Sequence, residues 1–174
     1  MIKTIKGMAP KTGAGTFIAE TAAVVGDVTI GKECSVWYGA VIRGDDNRIV
    51  IGDRTNIQDC AVIHVSEGDN GNTIIGNNVT IGHNATIHAA KLADGCLIGM
   101  GATVLDGAVI EEGAVVAAHA LILGKTHIGA RELWGGVPAK LIKTLSPEDV
   151  TRIIDKGVQS YVDWTRLYLE AQKG

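Results

Sequence analysis

The 174-residue sequence has few aromatic residues, three prolines and three cysteines, and it lacks a long apolar run. Aromatic residues make up only 4% of the chain, although hydrophobic residues make up 46% and glycine occurs 23 times. This composition favours a narrow aliphatic core over a broad packed one. No segment approaches the roughly 18 consecutive apolar residues of a membrane-spanning helix. The first seven residues, MIKTIKG, also lack the apolar segment of a signal peptide.

An aliphatic residue recurs every six positions over most of the chain, and a small residue usually follows it four positions later. A six-residue period is that of a parallel β-helix, in which each hexad forms a short strand and a corner. Eighteen hexads at three per turn predict about six triangular coils. The aliphatic positions are Ile18, Val24, Ile30, Val36, Ile42, Ile51, Ile57, Ile63, Ile75, Ile81, Ile87, Leu92, Ile98, Val104, Ile110, Val116, Ile122 and Ile128.

A glycine often follows the aliphatic residue, as in Ile30-Gly31, Ile51-Gly52, Ile75-Gly76 and Ile81-Gly82. In this feature the pattern resembles the hexapeptide-repeat proteins, whose β-helix is left-handed. The usual right-handed crossover rule favours the other hand, so the handedness comes from the resemblance alone. The expected fold class is therefore all-β, a left-handed parallel β-helix with a C-terminal α-helix.

Charge and cysteine usage narrow the range of partners. The net charge of −3 is small and no basic stripe is present, so neither nucleic acid nor a membrane is an expected partner. Cys34 and Cys96 fall in small-residue positions of the repeat, and Cys60 lies one position earlier in its hexad. We interpret all three as packed thiols and not as a disulfide or a metal set. A cytoplasmic location fits this pattern, and no organic cofactor is expected.

The repeat divides the chain into four predicted segments. They are an irregular lead-in over residues 1–17, the β-helix over 18–133, a connecting turn over 134–145 and a helix over 146–174. Ser146 and Pro147 are typical of a helix N-terminus, and the apolar stripe that follows predicts a contact surface against the coils or a partner. Two insertions, 43–50 and 64–74, interrupt the frame, and such irregularities are common places for function.

Polar side chains stack beside these insertions. Arg43, His64 and His88 each follow an aliphatic residue of one column, whereas Asp59 and His83 stack on another. Neighbouring coils lie about 4.7–4.9 Å apart, and two imidazole nitrogens on a tetrahedral zinc are roughly 3.3 Å apart. His64 and His88 can therefore share an ion with modest convergence.

His83 lies on another face of the prism and can join that site only from a neighbouring subunit. Three such contacts close a C3 ring. The same docking brings Arg43 of one chain towards Asp59 of the next.

Four stretches carry a closer resemblance: Arg43-Gly44-Asp45, Asn56-Ile57-Gln58-Asp59, His64, and Gly82-His83-Asn84-Ala85-Thr86-Ile87-His88. Together they resemble the γ-class carbonic anhydrase family over nearly the whole chain. The resemblance implies a homotrimer with one zinc, iron or cobalt ion per subunit interface, held by His64 and His88 of one chain and His83 of the next. It also implies supporting roles for Arg43, Asp45, Asn56, Gln58 and Asp59, with Asp46 in place of an assisting glutamate.

The implied reaction is hydration of CO2 to bicarbonate by metal-hydroxide chemistry, with Gln58 and Asn56 orienting the nucleophile. Archaeal members carry an acidic loop as proton shuttle, but the corresponding insertion is short here. Glu67 is a candidate substitute, although a solvated loop carboxylate is the interpretation we favour. Short-loop relatives in many cases have weak or undetectable activity, so the metal site is better supported than the reaction.

Three other functions stay open. Residues 136–143 are similar to the end of hexapeptide acyltransferases that use coenzyme A, with His119 as the candidate base. That hypothesis leaves the histidine ladder unexplained. A related metal-dependent hydrolase, such as a thioesterase, would use the same hydroxide. In a purely structural trimer the ion would be sealed by four ligands.

Overall fold

The computed structural model describes residues 1–172, which form a parallel β-helix of about seven turns followed by one helical segment. Most strands are two or three residues long because the remaining residues of each hexad form a corner. The strands in chain order are β1 (Ile2–Lys3), β2 (Lys11–Thr12), β3 (Phe17–Ile18), β4 (Ala23–Ile30), β5 (Ser35–Val36), β6 (Val41–Ile51), β7 (Asn56–Ile57), β8 (Val62–His64), β9 (Thr73–Ile75), β10 (Thr80–Ile81), β11 (Thr86–His88), β12 (Lys91–Leu92), β13 (Leu97–Ile98), β14 (Thr103–Val104), β15 (Val109–Ile110), β16 (Val115–Val116), β17 (Leu121–Ile122), β18 (His127–Ile128), β19 (Glu132–Gly136) and β20 (Ala139–Thr144).

The strands stack into three faces of a prism. Face 1 contains β3, β5, β7, β10, β13, β16 and β19, one strand per turn. Face 2 runs through β1, the first part of β4 and of β6, then β8, β11, β14 and β17. Face 3 runs through β2, the last part of β4 and of β6, then β9, β12, β15 and β18. The predicted aliphatic columns are buried on all three faces, except for Ile18 in the first strand of face 1, which is half-buried.

The two predicted insertions have different structures. Residues 43–50 lie within the single long strand β6, which continues from face 2 to face 3 around one corner. Residues 65–72, between β8 and β9, form a projecting loop instead. Both lie at the corner that joins face 2 to face 3, so both insertions are brought to one edge of the prism.

The solenoid is longer than the six predicted coils because non-aliphatic residues continue the frame at both ends. Thr12 pairs with Ile30 on face 3, and Trp134 pairs with Val116 on face 1. The predicted irregular lead-in therefore contains two strands of the β-helix. The predicted connecting turn is also different, because β19 and β20 form an antiparallel hairpin.

The C-terminal helical segment runs back along face 1. It consists of α1 (Pro147–Val150), a π-helical turn (Thr151–Asp155) and α2 (Lys156–Ala171). The side chain of Ser146 accepts a hydrogen bond from the backbone N–H of Asp149 at 3.1 Å, which confirms the predicted N-cap. The last two residues of the predicted helix, 173 and 174, lie outside the described residues.

The helix is held at both ends of the solenoid. Near its start, Ile154 and Val158 pack with Val115 of face 1. Near its end, the ring of Tyr168 lies 4.9 Å from that of Trp37 between centroids and 5.3 Å from that of Phe17. The aromatic stripe is therefore a contact surface against the coils, one of the two arrangements that the sequence predicts.

The cysteines divide into two kinds. Cys34 and Cys96 are buried, as the repeat predicts, and burial raises the pKa of their thiols to about 11 and about 12. Cys60 is exposed, because it occupies a corner with a positive φ of 60° and its side chain points out of the prism. The prediction of three packed thiols is thus wrong for Cys60. Over residues 1–172, no helix combines the length and apolar character needed to cross a membrane.

Candidate metal centre

Two histidines face each other on adjacent coils at the corner between face 2 and face 3. Strands β8 and β11 are paired so that His64 lies opposite His88. Each follows a buried isoleucine, and because side chains alternate along a strand, both rings point out of the core. The Nδ1 atom of His64 lies 3.1 Å from the Nε2 atom of His88.

This pair fits a divalent metal ion. The 3.1 Å separation is close to the roughly 3.3 Å expected for two imidazole nitrogens on one tetrahedral ion. Imidazole nitrogens are also the ligands that zinc and related ions commonly take in proteins. The side chains of His64 and His88 are 16% and 32% exposed, so the pair is shielded but open to solvent on one side.

The outer nitrogen of each ring forms a hydrogen bond with a carboxylate. Nε2 of His64 lies 3.0 Å from Asp45, and Nδ1 of His88 lies 2.7 Å from Asp106. When each outer nitrogen donates its N–H to a carboxylate, both inner nitrogens present lone pairs to one another. Two lone pairs at this distance need a cation between them, either a shared proton or a metal ion.

Both carboxylates are held in their ionised form. Burial raises the pKa of Asp45, but hydrogen bonds from Arg43 and His64 outweigh it and lower the pKa to about 2. A hydrogen bond from Ser66 is the largest cause of the lowered pKa of Asp106, and the bond to His88 adds to it. Each histidine therefore faces a negative charge on its outer side at neutral pH.

His83 lies at the opposite edge of face 2. It stacks on Asp59 of the preceding coil, as predicted, with Nδ1 2.9 Å from the Asp59 carboxylate. Five residues of extended chain, up to roughly 16 Å, separate His83 from His88. Within the described part of one chain, the three predicted ligands do not form a cluster.

Gln58 and Asn56 form a buried amide network beside His83. The Gln58 side chain donates to Asn56 at 3.1 Å and accepts from the His83 backbone N–H at 3.2 Å, while Asn56 donates to Thr80 at 2.8 Å. Gln58 is 6% exposed and Asn56 only 1%. The Asn56 amide is enclosed on face 1, and Gln58 joins it to the backbone of His83.

The remaining predicted supporting residues gather around His64. Arg43 forms an ion pair with Asp45 of its own chain, so Asp45 joins Arg43 to His64. Asp46 is exposed and lies 3.4 Å from Lys6. Oxygen and nitrogen atoms of Asp45, Asp46 and His64 lie within 4.8 Å of one another. Asp46 is thus close to His64 and Asp45, and it is exposed to solvent.

Asp106 and Ser66 are the residues of the centre that the sequence interpretation missed. Asp106 lies on the next coil of face 2, one position beyond Leu105, which is the residue in register with His88. A search for acidic residues within one position of one-coil spacing from each predicted ligand would have found it. His119 and His127 are exposed and lie outside the cluster.

The fold and repeat identify the broad class first. Residues 89–124 match the model of the bacterial transferase hexapeptide family (six repeats). The structure also aligns with a hexapeptide transferase family protein from Anaplasma phagocytophilum, with a TM-score of 0.91 and 39% identity over 97% of this chain and 98% of that one. The molecule is a hexapeptide-repeat β-helix.

Two curated relatives narrow the class. The chain is 39% identical over 173 residues to the carbonic anhydrase of Geobacillus kaustophilus, covering 99% of this chain and 93% of that protein. It is 42% identical over 163 residues to the mitochondrial gamma carbonic anhydrase 2 of Arabidopsis thaliana, covering 91% of this chain and 58% of that protein. It thus spans little more than half of the plant relative. The chain belongs to the γ-class carbonic anhydrase family.

Proposed function

We propose that three copies of this chain assemble in a ring and bind one divalent ion at each interface, where they hydrate CO2 to bicarbonate. The observation that carries this proposal is the placement of the histidines at opposite edges of face 2. His64 and His88 converge at one edge, with carboxylates on their outer nitrogens, and His83 lies at the other. A head-to-tail contact between unlike edges closes a threefold ring.

The outer surface of face 2 supports such a contact. Between the two histidine edges it presents a row of short, uncharged side chains, of which Val62 is 37% exposed. A flat surface of this kind can pack closely against a neighbour without burying an unpaired charge. The row consists of Ala23, Val41, Val62, Thr86, Thr103 and Leu121.

The residues have separate tasks in this proposal. His64 and His88 of one chain and His83 of the next would hold zinc, iron or cobalt and leave one coordination position open. The ion, when bound, acts as a Lewis acid and lowers the pKa of a coordinated water molecule to near neutrality. Gln58 orients the nucleophile, and Asn56 and the backbone of His83 fix the Gln58 amide. Arg43 and Asp59 meet across the interface.

Subunit complementation tests the shared site. Chains carrying His83→Ala and chains carrying His88→Ala should each lose the ion, but a mixture should regain part of it. In a threefold ring, every mixed trimer has one interface that combines an intact His64–His88 pair with an intact His83. Random 1:1 assembly therefore predicts about one quarter of the wild-type metal content.

The complementation measurement is elemental analysis of desalted protein, with the trimer checked by light scattering. The two variants refolded or expressed separately are the controls. No recovered metal in verified mixed trimers would show that one chain supplies all of its own ligands, or that the histidines are not ligands.

The reaction is tested by oxygen exchange between CO2 and bicarbonate. Protein purified without air and loaded with zinc or iron should catalyse exchange, and His88→Ala should not. Exchange equal in both proteins would contradict the assignment of the site. A bound metal without any exchange would support the metal site but contradict CO2 hydration. It would then favour another hydroxide-dependent reaction, such as thioester hydrolysis.

An acyltransferase is the second candidate. Its support is the hairpin of β19 and β20, which carries residues 136–143, and the similarity to a protein described as a hexapeptide transferase family member. Two lysines of this hairpin are exposed: Lys140, and Lys143, which forms an ion pair with Asp149. Coenzyme A binding measured by calorimetry separates the two candidates, because the proposed hydration reaction requires none.

A further inference from the structure

The short loop over residues 65–72 is tied to His88 through a relay of two hydrogen bonds. The Ser66 hydroxyl donates to the Asp106 carboxylate, and Asp106 accepts from Nδ1 of His88 at 2.7 Å. We propose that Asp106 is a positioning residue for the metal ligand His88 and that the loop serves to hold Asp106 in place. This inference rests on the metal site of the proposed function.

Hydrogen bonds fix the loop at several points. Ser66 and Gly71 close it with a backbone hydrogen bond of 3.0 Å. The Asn47 side chain donates to the carbonyl oxygen of Gly68 at 2.6 Å, and buried Thr73 donates to that of His64 at 2.5 Å. The loop is thus anchored to strand β6 on one side and to the backbone of a proposed ligand on the other.

Asp106 decides which nitrogen of His88 is free to bind. A carboxylate on Nδ1 stabilises the tautomer with hydrogen on that atom, so the lone pair is on Nε2. Nε2 is the atom that faces His64. The carboxylate also fixes the angle of the ring and makes the free nitrogen more basic, and loss of such an outer partner commonly weakens metal binding about 10- to 100-fold.

The relay gives the loop a task other than proton transfer. Its carboxylates, Glu67 and Asp69, are exposed, and neither forms an ion pair within residues 1–172. Ser66 is the loop side chain that reaches the centre. The inference therefore predicts that Ser66 matters for the metal site and that the loop acids do not.

The experiment compares three single variants of the full chain and the double variant of Asp106→Asn with Ser66→Ala. Asp106→Asn keeps the shape of the side chain but removes its charge, and Ser66→Ala removes the hydroxyl that holds it. Asp69→Asn is the matched control, because it also replaces an aspartate by asparagine beside this centre, but Asp69 has no contact with His88. The zinc dissociation constant is measured by chelator competition, and the visible absorption of the cobalt-loaded protein reports the ligand geometry.

We expect Asp106→Asn to bind zinc about 10- to 100-fold more weakly and to alter the cobalt spectrum. Ser66→Ala should weaken binding less, and it should add nothing in the Asp106→Asn background, because both changes break one relay. Asp69→Asn should bind like wild type. Thermal unfolding of the metal-free proteins checks that each variant is folded.

Two results would overturn the inference. If Asp106→Asn binds zinc as tightly as Asp69→Asn while wild type binds one ion per interface, the positioning role of Asp106 is contradicted. The proposed metal site is still supported by that result. If wild type binds no zinc, iron or cobalt, both the positioning role of Asp106 and the proposed metal site are contradicted. Metal binding that depends on Asp106 without any CO2 hydration supports the inference and contradicts only the reaction.

Discussion

His88→Ala is expected to abolish metal binding and to leave the β-helix folded. Its ring supplies one of the two nitrogen atoms that converge at the corner of face 2, and we propose it as a direct ligand. Removal of a direct ligand should cost more than the roughly 100-fold upper range for loss of an outer partner. The ring points away from the aliphatic columns, so no core cavity is created. Metal content and the far-UV circular dichroism spectrum measure the two effects separately.

His119→Ala is the matched control for this prediction. His119 lies on a corner of the same solenoid and is exposed, but it belongs to no cluster. Its removal should change neither the metal content nor the spectrum. A His88→Ala protein that keeps one ion per chain after dialysis would contradict the ligand assignment, and an unfolded His88→Ala protein would contradict the placement of its ring outside the core.

Gly26→Ala is expected to produce a large loss of stability. Gly26 lies in β4 with φ of +81°, opposite Gly44 of the next coil. A Cβ at this position would collide with the carbonyl oxygen of Gly44. The left-handed backbone costs roughly 1–2 kcal/mol for a residue with a Cβ, and overpacking adds about 1–3 kcal/mol. The total expected loss is therefore roughly 2–5 kcal/mol.

Gly7→Ala separates the cost of the left-handed backbone from the cost of overpacking. Gly7 has a similar φ of +77°, but a Cβ there would meet nothing within 4 Å. It should lose only the backbone contribution, roughly 1–2 kcal/mol. Chemical denaturation of both variants gives the difference in unfolding free energy. Equal losses would show that the coils separate easily at Gly26 and that the close approach to Gly44 is not required.

The hexad determines most of the fold because one residue in six has to enter a narrow core. Once Ile63 and Ile87 are assigned to one column, the following residues His64 and His88 must stack, and the structure confirms this pairing. The same rule places His83 over Asp59. These contacts are predictable because they depend only on register between adjacent coils.

Other contacts depend on features that the hexad does not describe. Thr12 and Trp134 continue the register of two columns without being aliphatic, so an aliphatic repeat predicts ends that are too early at both termini. The hairpin of β19 and β20 follows a Gly-Gly-Val-Pro sequence that indicates a turn but not the strands beside it. Asp106 was missed because one residue is absent between Ile87 and Leu92, which moves the next coil by one position against His88.

The helix that returns along face 1 changes how the molecule should unfold. In a repeat protein each coil contacts only its neighbours, so stability is approximately a sum of local terms and the ends can fray independently. Here Ile154 contacts coils near one end and Tyr168 contacts the rings of Trp37 and Phe17 near the other. Terminal coils cannot detach without breaking these contacts, so the helix couples the two ends of a linear array into one cooperative unit.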